Sequence, residues 1–76
     1  MTSPSDATYR QRILAVQLYV QRHLDGDLSL DRLARVAHFS PFHFHRIFKA
    51  VVGEGVYEYV RRLRLEAAAF ALKTTD

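Results

Sequence analysis

Phe42, His45, Arg46 and Lys49 fall at i, i+3, i+4 and i+7, one face of a 3.6-residue helix. That face holds a guanidinium fork, an imidazole, an ammonium and a phenyl ring. A helix that needs only solubility carries Glu, Lys or Gln there, chosen for propensity and solvation, and a phenyl ring serves neither purpose. In a DNA major groove the same set has work to do. Arg46 can offer a bidentate donor pair to guanine O6 and N7, Phe42 can pack on a thymine methyl, and His45 can donate to a base edge. Lys49 can neutralise a phosphate. On a lone helix the plainer reading would prevail, with Phe42 covering the helix start and the other three forming a solvated face. The residues before this helix reverse that preference.

Ser40-Pro41 combines a capping hydroxyl with a proline at the first helical position, where the missing N–H leaves no bond unmade, so the helix should start at Pro41. Its core face is expected at Phe44, Ile47, Phe48 and Val51. Upstream, Leu30, Leu33, Ala34 and Ala37 repeat the i, i+3, i+4, i+7 spacing, with Asp31, Arg32 and Arg35 outward and Ser29 as N-cap. The connection is only His38-Phe39-Ser40. Such tight turns often hold a glycine, and histidine is one of the few other residues enriched at positive φ, so His38 is expected to be left-handed. Phe39 should point back into the core and fix the angle between the helices. This is a helix-turn-helix layout.

Its flanks are helical as well. A polar leader, residues 1–7, is expected to be disordered or frayed. A first helix over residues 8–23 would bury Tyr9, Ile13, Val16, Val20 and Leu24, and stop at Asp25-Gly26-Asp27, with Gly26 free to turn left-handed. Leu14 and Leu18, with Ala15 nearby, form a second stripe that faces away from the first. Gly53-Glu54-Gly55 ends the candidate reading helix. A last helix over residues 56–73 has Val56, Tyr59, Val60, Leu63, Ala67, Phe70 and Ala71 as its core positions. The expected fold is all-α, a small four-helix, homeodomain-like helix-turn-helix bundle over residues 8–76 with a long final helix.

A chain of 76 residues forms one small domain with a modest core, burying about 60% of its unfolded surface, which makes a large enclosed active site improbable. Without cysteine, neither disulfides nor a thiolate zinc site is available. No apolar run approaches the roughly 20 residues of a membrane span, and the start lacks the basic and apolar regions of a signal peptide. A soluble, cytoplasmic protein with no membrane partner is expected. The net charge is +3, yet residues 1–28 cancel, three Arg against three Asp. Residues 32–64 hold seven cations against Glu54 and Glu58, which gives 7 − 2 = +5. A polyanion would feel that segment.

Other chemistries fit poorly. His43 and His45 lie two apart on a helix and diverge by about 200°, so they cannot grip one ion as an i, i+4 pair does, and neither metal nor cofactor is expected. Gly53-Glu54-Gly55 begins like a nucleotide loop but lacks a preceding strand and a third glycine. Ser29 and Ser40 sit where caps belong and the carboxylates are scattered, so no enzyme is read here. Arg61, Arg62 and Arg64 oppose the macrodipole of the last helix unless an anion lies near. Arg62 has Glu58 and Glu66 at i−4 and i+4 to pair with, which leaves Arg61 as the better phosphate ligand. A rival reading remains: a protein-interaction module docking through the Phe42 face and the Leu14/Leu18 stripe, its basic charge incidental.

With LSLDRLA, FSPFHFHRIFK and YVRRLRLEAA in place, residues 13–72 resemble the DNA-binding region of AraC/XylS-type transcription activators. In that family the segment starting at the serine of FSPFHFHRIFK is the recognition helix. The resemblance implies sequence-specific double-stranded DNA binding, with base contacts from Phe42, His45 and Arg46. It assigns phosphate contacts to Ser40, His43, Lys49 and Arg61. Members commonly have glycine where this chain has His38. The family domain also holds two helix-turn-helix units joined by a long helix, so the last helix here would be that linker, and the chain would be part of a longer regulator. A second reader, an effector-binding domain and contact with RNA polymerase are the further parts implied, with function at the nucleoid. A similar reader is also carried by a DNA-repair methyltransferase.

Overall fold

The computed structural model describes residues 4–74, which form four helices: α1 (Pro4–Arg22), α2 (Leu30–Ala37), α3 (Pro41–Val52) and α4 (Val56–Thr74). No strand occurs among them. The expected leader meets helix from Pro4 onward, and residues 1–3 of it lie outside the described residues. α1, α2 and α3 pack against one another, and α4 rests on α3. No helix among the described residues is long and apolar enough to cross a membrane.

One cluster holds the bundle together. Ile13, Val16 and Val20 from α1 meet Leu33, Ala34 and Ala37 from α2 and Phe44 and Phe48 from α3, each buried. Val56, Tyr59 and Val60 bring the first turns of α4 onto this cluster. The Phe48 ring stands edge-on to Tyr59 at 5.3 Å and lies 5.6 Å from Phe44, so α3 is locked on its inner side by aromatic packing.

Periodicity overreached at several positions. Leu30 and Val51, expected in the core, are 39% and 42% exposed; Leu30 is the first residue of α2 and Val51 lies in the last turn of α3. Ala67, Phe70 and Ala71 are exposed too. At about 1.5 Å per residue α4 runs some 28 Å, while the molecule it extends measures 49 × 27 × 17 Å. Its second half therefore runs past the core. Leu14 and Leu18 are exposed on α1, as their spacing suggested.

The turns are set by local chemistry. Ser29 Oγ accepts from the Arg32 N–H, and Ser40 Oγ accepts from the His43 N–H, the two N-caps expected. Among the described residues only His38 and Gly53 have positive φ, 60° and 93°. Gly26 does not. The α1–α2 turn instead closes by the Gly26 N–H donating to the His23 carbonyl at 2.9 Å, so no left-handed residue is needed there.

Candidate nucleic-acid interface

The α2–α3 turn determines how α3 is presented. At His38 the left-handed backbone lets its N–H and that of Phe39 reach back to the Arg35 and Ala34 carbonyls, closing α2. Phe39 turns inward as expected, half-buried, with its ring edge-on to Tyr9 at 5.3 Å. The Arg12 guanidinium lies over the same ring at 4.9 Å. His43 meets both rings, 5.2 Å from Phe39 and 5.9 Å from Tyr9. Two residues of α1 thus hold the α2–α3 turn, Arg12 through Phe39 and Tyr9 through both Phe39 and His43, contacts that helical spacing alone could not reveal.

With its inner side fixed by Phe44 and Phe48, α3 turns Phe42, His45, Arg46 and Lys49 outward, all exposed. Phe42 is 74% exposed, a large apolar ring standing in water. The Arg46 guanidinium lies 5.9 Å from its centroid, one turn along the helix, so the two share a single patch. No acidic side chain sits on α3. Ser40 and His43 stand at the amino end of the same helix, joined by their capping bond.

The three arginines of α4 have separate roles. Arg62 donates to Glu54 at 2.8 Å and to Glu66 at 3.1 Å, which raises its pKa still further above its ordinary value. Glu66 is one of the two partners expected; Glu58, the other, makes no ion pair with Arg62. The Glu58 carboxylate instead lies against Gly55, at the positive end of α4. Arg64 donates to the Leu24 and Gly26 carbonyls, both at 3.0 Å, fastening α4 to the α1–α2 turn. Arg61 is exposed and makes no hydrogen bond or ion pair among the described residues. It is the cation of this cluster left available to an external anion.

No group of three or more His, Asp or Glu side chains suited to a metal ion occurs among the described residues. What the geometry defines is a helix-turn-helix protein whose second helix carries an outward cationic and aromatic face. The family model for bacterial regulatory helix-turn-helix proteins of the AraC family matches residues 20–61, more than half of the chain, and the chain belongs to that family. It is similar to the uncharacterized HTH-type transcriptional regulator YbfP of Bacillus subtilis, 40% identical over 68 residues, covering 90% of this chain and 23% of the relative. The right origin-binding protein of Escherichia coli is 41% identical over 58 residues, 76% of this chain and 20% of its own length. The bifunctional transcriptional activator/DNA repair enzyme AdaA of Bacillus subtilis is 38% identical over 58 residues, 76% of this chain and 28% of its own. The chain thus spans about a quarter of the length of these relatives. Within that span it is a DNA-binding regulatory module.

Proposed function

We propose that α3 enters the major groove of double-stranded DNA, with Phe42, His45 and Arg46 on base edges and Ser40, His43, Lys49 and Arg61 on phosphates. One observation carries this reading. The single face of α3 that the core does not use presents an exposed phenyl ring beside an arginine, with no acid on the helix to repel a phosphate backbone. The Phe42 ring has a thymine methyl to cover, and Arg46 a guanine edge to grip. Arg61 adds a phosphate contact from α4. In the whole regulator, further residues would supply a second reader, an effector-binding part and contact with RNA polymerase, and its place of action would be the nucleoid of a bacterial cell. One reader alone should bind with a dissociation constant of about 10⁻⁴ to 10⁻⁶ M, the non-specific range.

Fluorescence anisotropy on matched duplexes, one base pair changed at a time, tests the assignment. Arg46→Ala should lose about 1 to 3 kcal/mol on the preferred sequence and relax the preference at one base pair. Equal losses on every sequence would remove Arg46 from base reading.

A further inference from the structure

Beside the recognition face lies an open groove of about 520 Å³ at the junction of α2, α3 and α4. Its floor is Leu28, Val56 and Val60, nearly buried, and its walls are Leu30 and Leu65, both well exposed. Leu30 is the residue whose spacing placed it in the core and whose side chain opens here instead. Arg61 and Arg64 place cationic groups on its rim, Ser29, Tyr57 and the His45 ring complete the polar lining, and no Asp or Glu lines it. Arg64 spends two of its nitrogens on the Leu24 and Gly26 carbonyls, whereas Arg61 makes no bond among the described residues.

An apolar cleft of several hundred Å³ with a few polar groups at its edge is the usual form of a small-molecule site. Here the charged groups at the edge, Arg61 and Arg64, are both cations. We infer that the groove binds a small amphipathic anion, an aryl or alkyl carboxylate, whose apolar body lies on Val56 and Val60 and whose carboxylate takes the Arg61 fork. A neutral apolar molecule would leave the guanidinium unused, and a cation would be repelled. Arg61 and His45 also belong to the proposed DNA face, so an occupied groove competes with DNA. Only that consequence depends on the proposed function; the ligand site stands on the groove itself.

The probe is 2-naphthoate, with uncharged 2-naphthalenemethanol as its match in size, titrated into the ¹⁵N-labelled chain. Naphthoate should shift the amides of Leu30, Val60 and Leu65 and bind at least about five-fold more tightly than the alcohol, as expected for one charge-assisted contact. Arg61→Gln should bring the two ligands to equal affinity. Leu65→Glu, an exposed change that places an acid on the wall, should abolish naphthoate binding while leaving the remaining spectrum folded. Equal affinity of both ligands for the unmodified chain, shifts scattered outside the groove, or no binding at millimolar concentration would each overturn the site. In a second arm naphthoate is added to the DNA complex. Displacement supports competition, and unchanged DNA affinity at saturating naphthoate overturns it. A chain that binds naphthoate but no DNA at all would defeat the proposed function and leave the ligand site standing.

Discussion

His38 shows how much one residue decides. It holds φ 60° and ψ 40°, a left-handed conformation that raises the energy of an L-residue by roughly 1–2 kcal/mol. Its side chain is exposed, so little packing offsets that strain. His38→Gly should therefore raise the unfolding free energy by about 0.5 to 1 kcal/mol, the relieved strain less the extra backbone entropy of glycine. His38→Val, β-branched and poorly suited to positive φ, should lower it; urea denaturation followed by circular dichroism measures both. The positive φ was legible in the sequence because a three-residue connection leaves few backbone solutions. The partners of Phe39 were not, because Tyr9 and Arg12 lie about thirty residues away and helical spacing holds no information on which neighbour a ring will meet.

At the scale of the elements, the start of α2 depends on a small acid-assisted cap. The Ser29 N–H donates to Asp27 Oδ1 at 3.0 Å, and Ser29 Oγ accepts from the Arg32 N–H. The backbone bond from Ser29 holds the Asp27 carboxyl below its ordinary value of 3.8, with the Ser29 side chain and the charges of Arg32 and Arg35 adding to the effect. A carboxyl with a lowered folded-state pKa stabilises the fold above its unfolded value, and that stabilisation is lost as pH falls through the folded one. Acid unfolding below the ordinary carboxylate range should thus be less steep in Asp27→Asn, while at neutral pH the variant should be slightly less stable than the parent. Thermal melts across pH 2 to 7 give both readings; an identical acid limb in variant and parent would remove Asp27 from the cap. Arg64 does comparable work across elements. Arg64→Met, which keeps the aliphatic stem, should lose about 1 to 2 kcal/mol of stability and speed hydrogen exchange around Leu24 and Gly26, since both carbonyl bonds go at once. Helix starts such as Ser29 and Ser40-Pro41 were readable because caps are local. Core membership at Leu30, Val51 and Phe70 was not, because periodicity says which residues share a face and not how far the facing element extends.

For the molecule as a whole, the distribution of charge matters more than its sum. Arg62 pairs with Glu54, already counted, and with Glu66, and Arg32 lies 3.8 Å from Asp27, so Glu66 and Asp27, both outside residues 32–64, answer part of the +5 read there. The cations left on the reading side and proposed to meet phosphates are Lys49 and Arg61. Each phosphate neutralised releases counterions and contributes about −0.9 to the slope of log K against log salt, so two such contacts should give a slope of about −2. Lys49→Ala should weaken binding to all duplexes alike and reduce the slope by about 1, and Arg61→Ala should do the same. Arg46→Ala, whose loss is at a base edge, should lower affinity while changing the slope much less. Anisotropy titrations from 50 to 300 mM salt separate the three. The rival view, in which the Phe42 face and the exposed Leu14 and Leu18 dock on a protein and the basic charge is incidental, requires the opposite pattern: DNA binding that is absent, or that does not weaken with salt, and a Phe42→Ala variant that loses a protein partner while its DNA affinity stays the same.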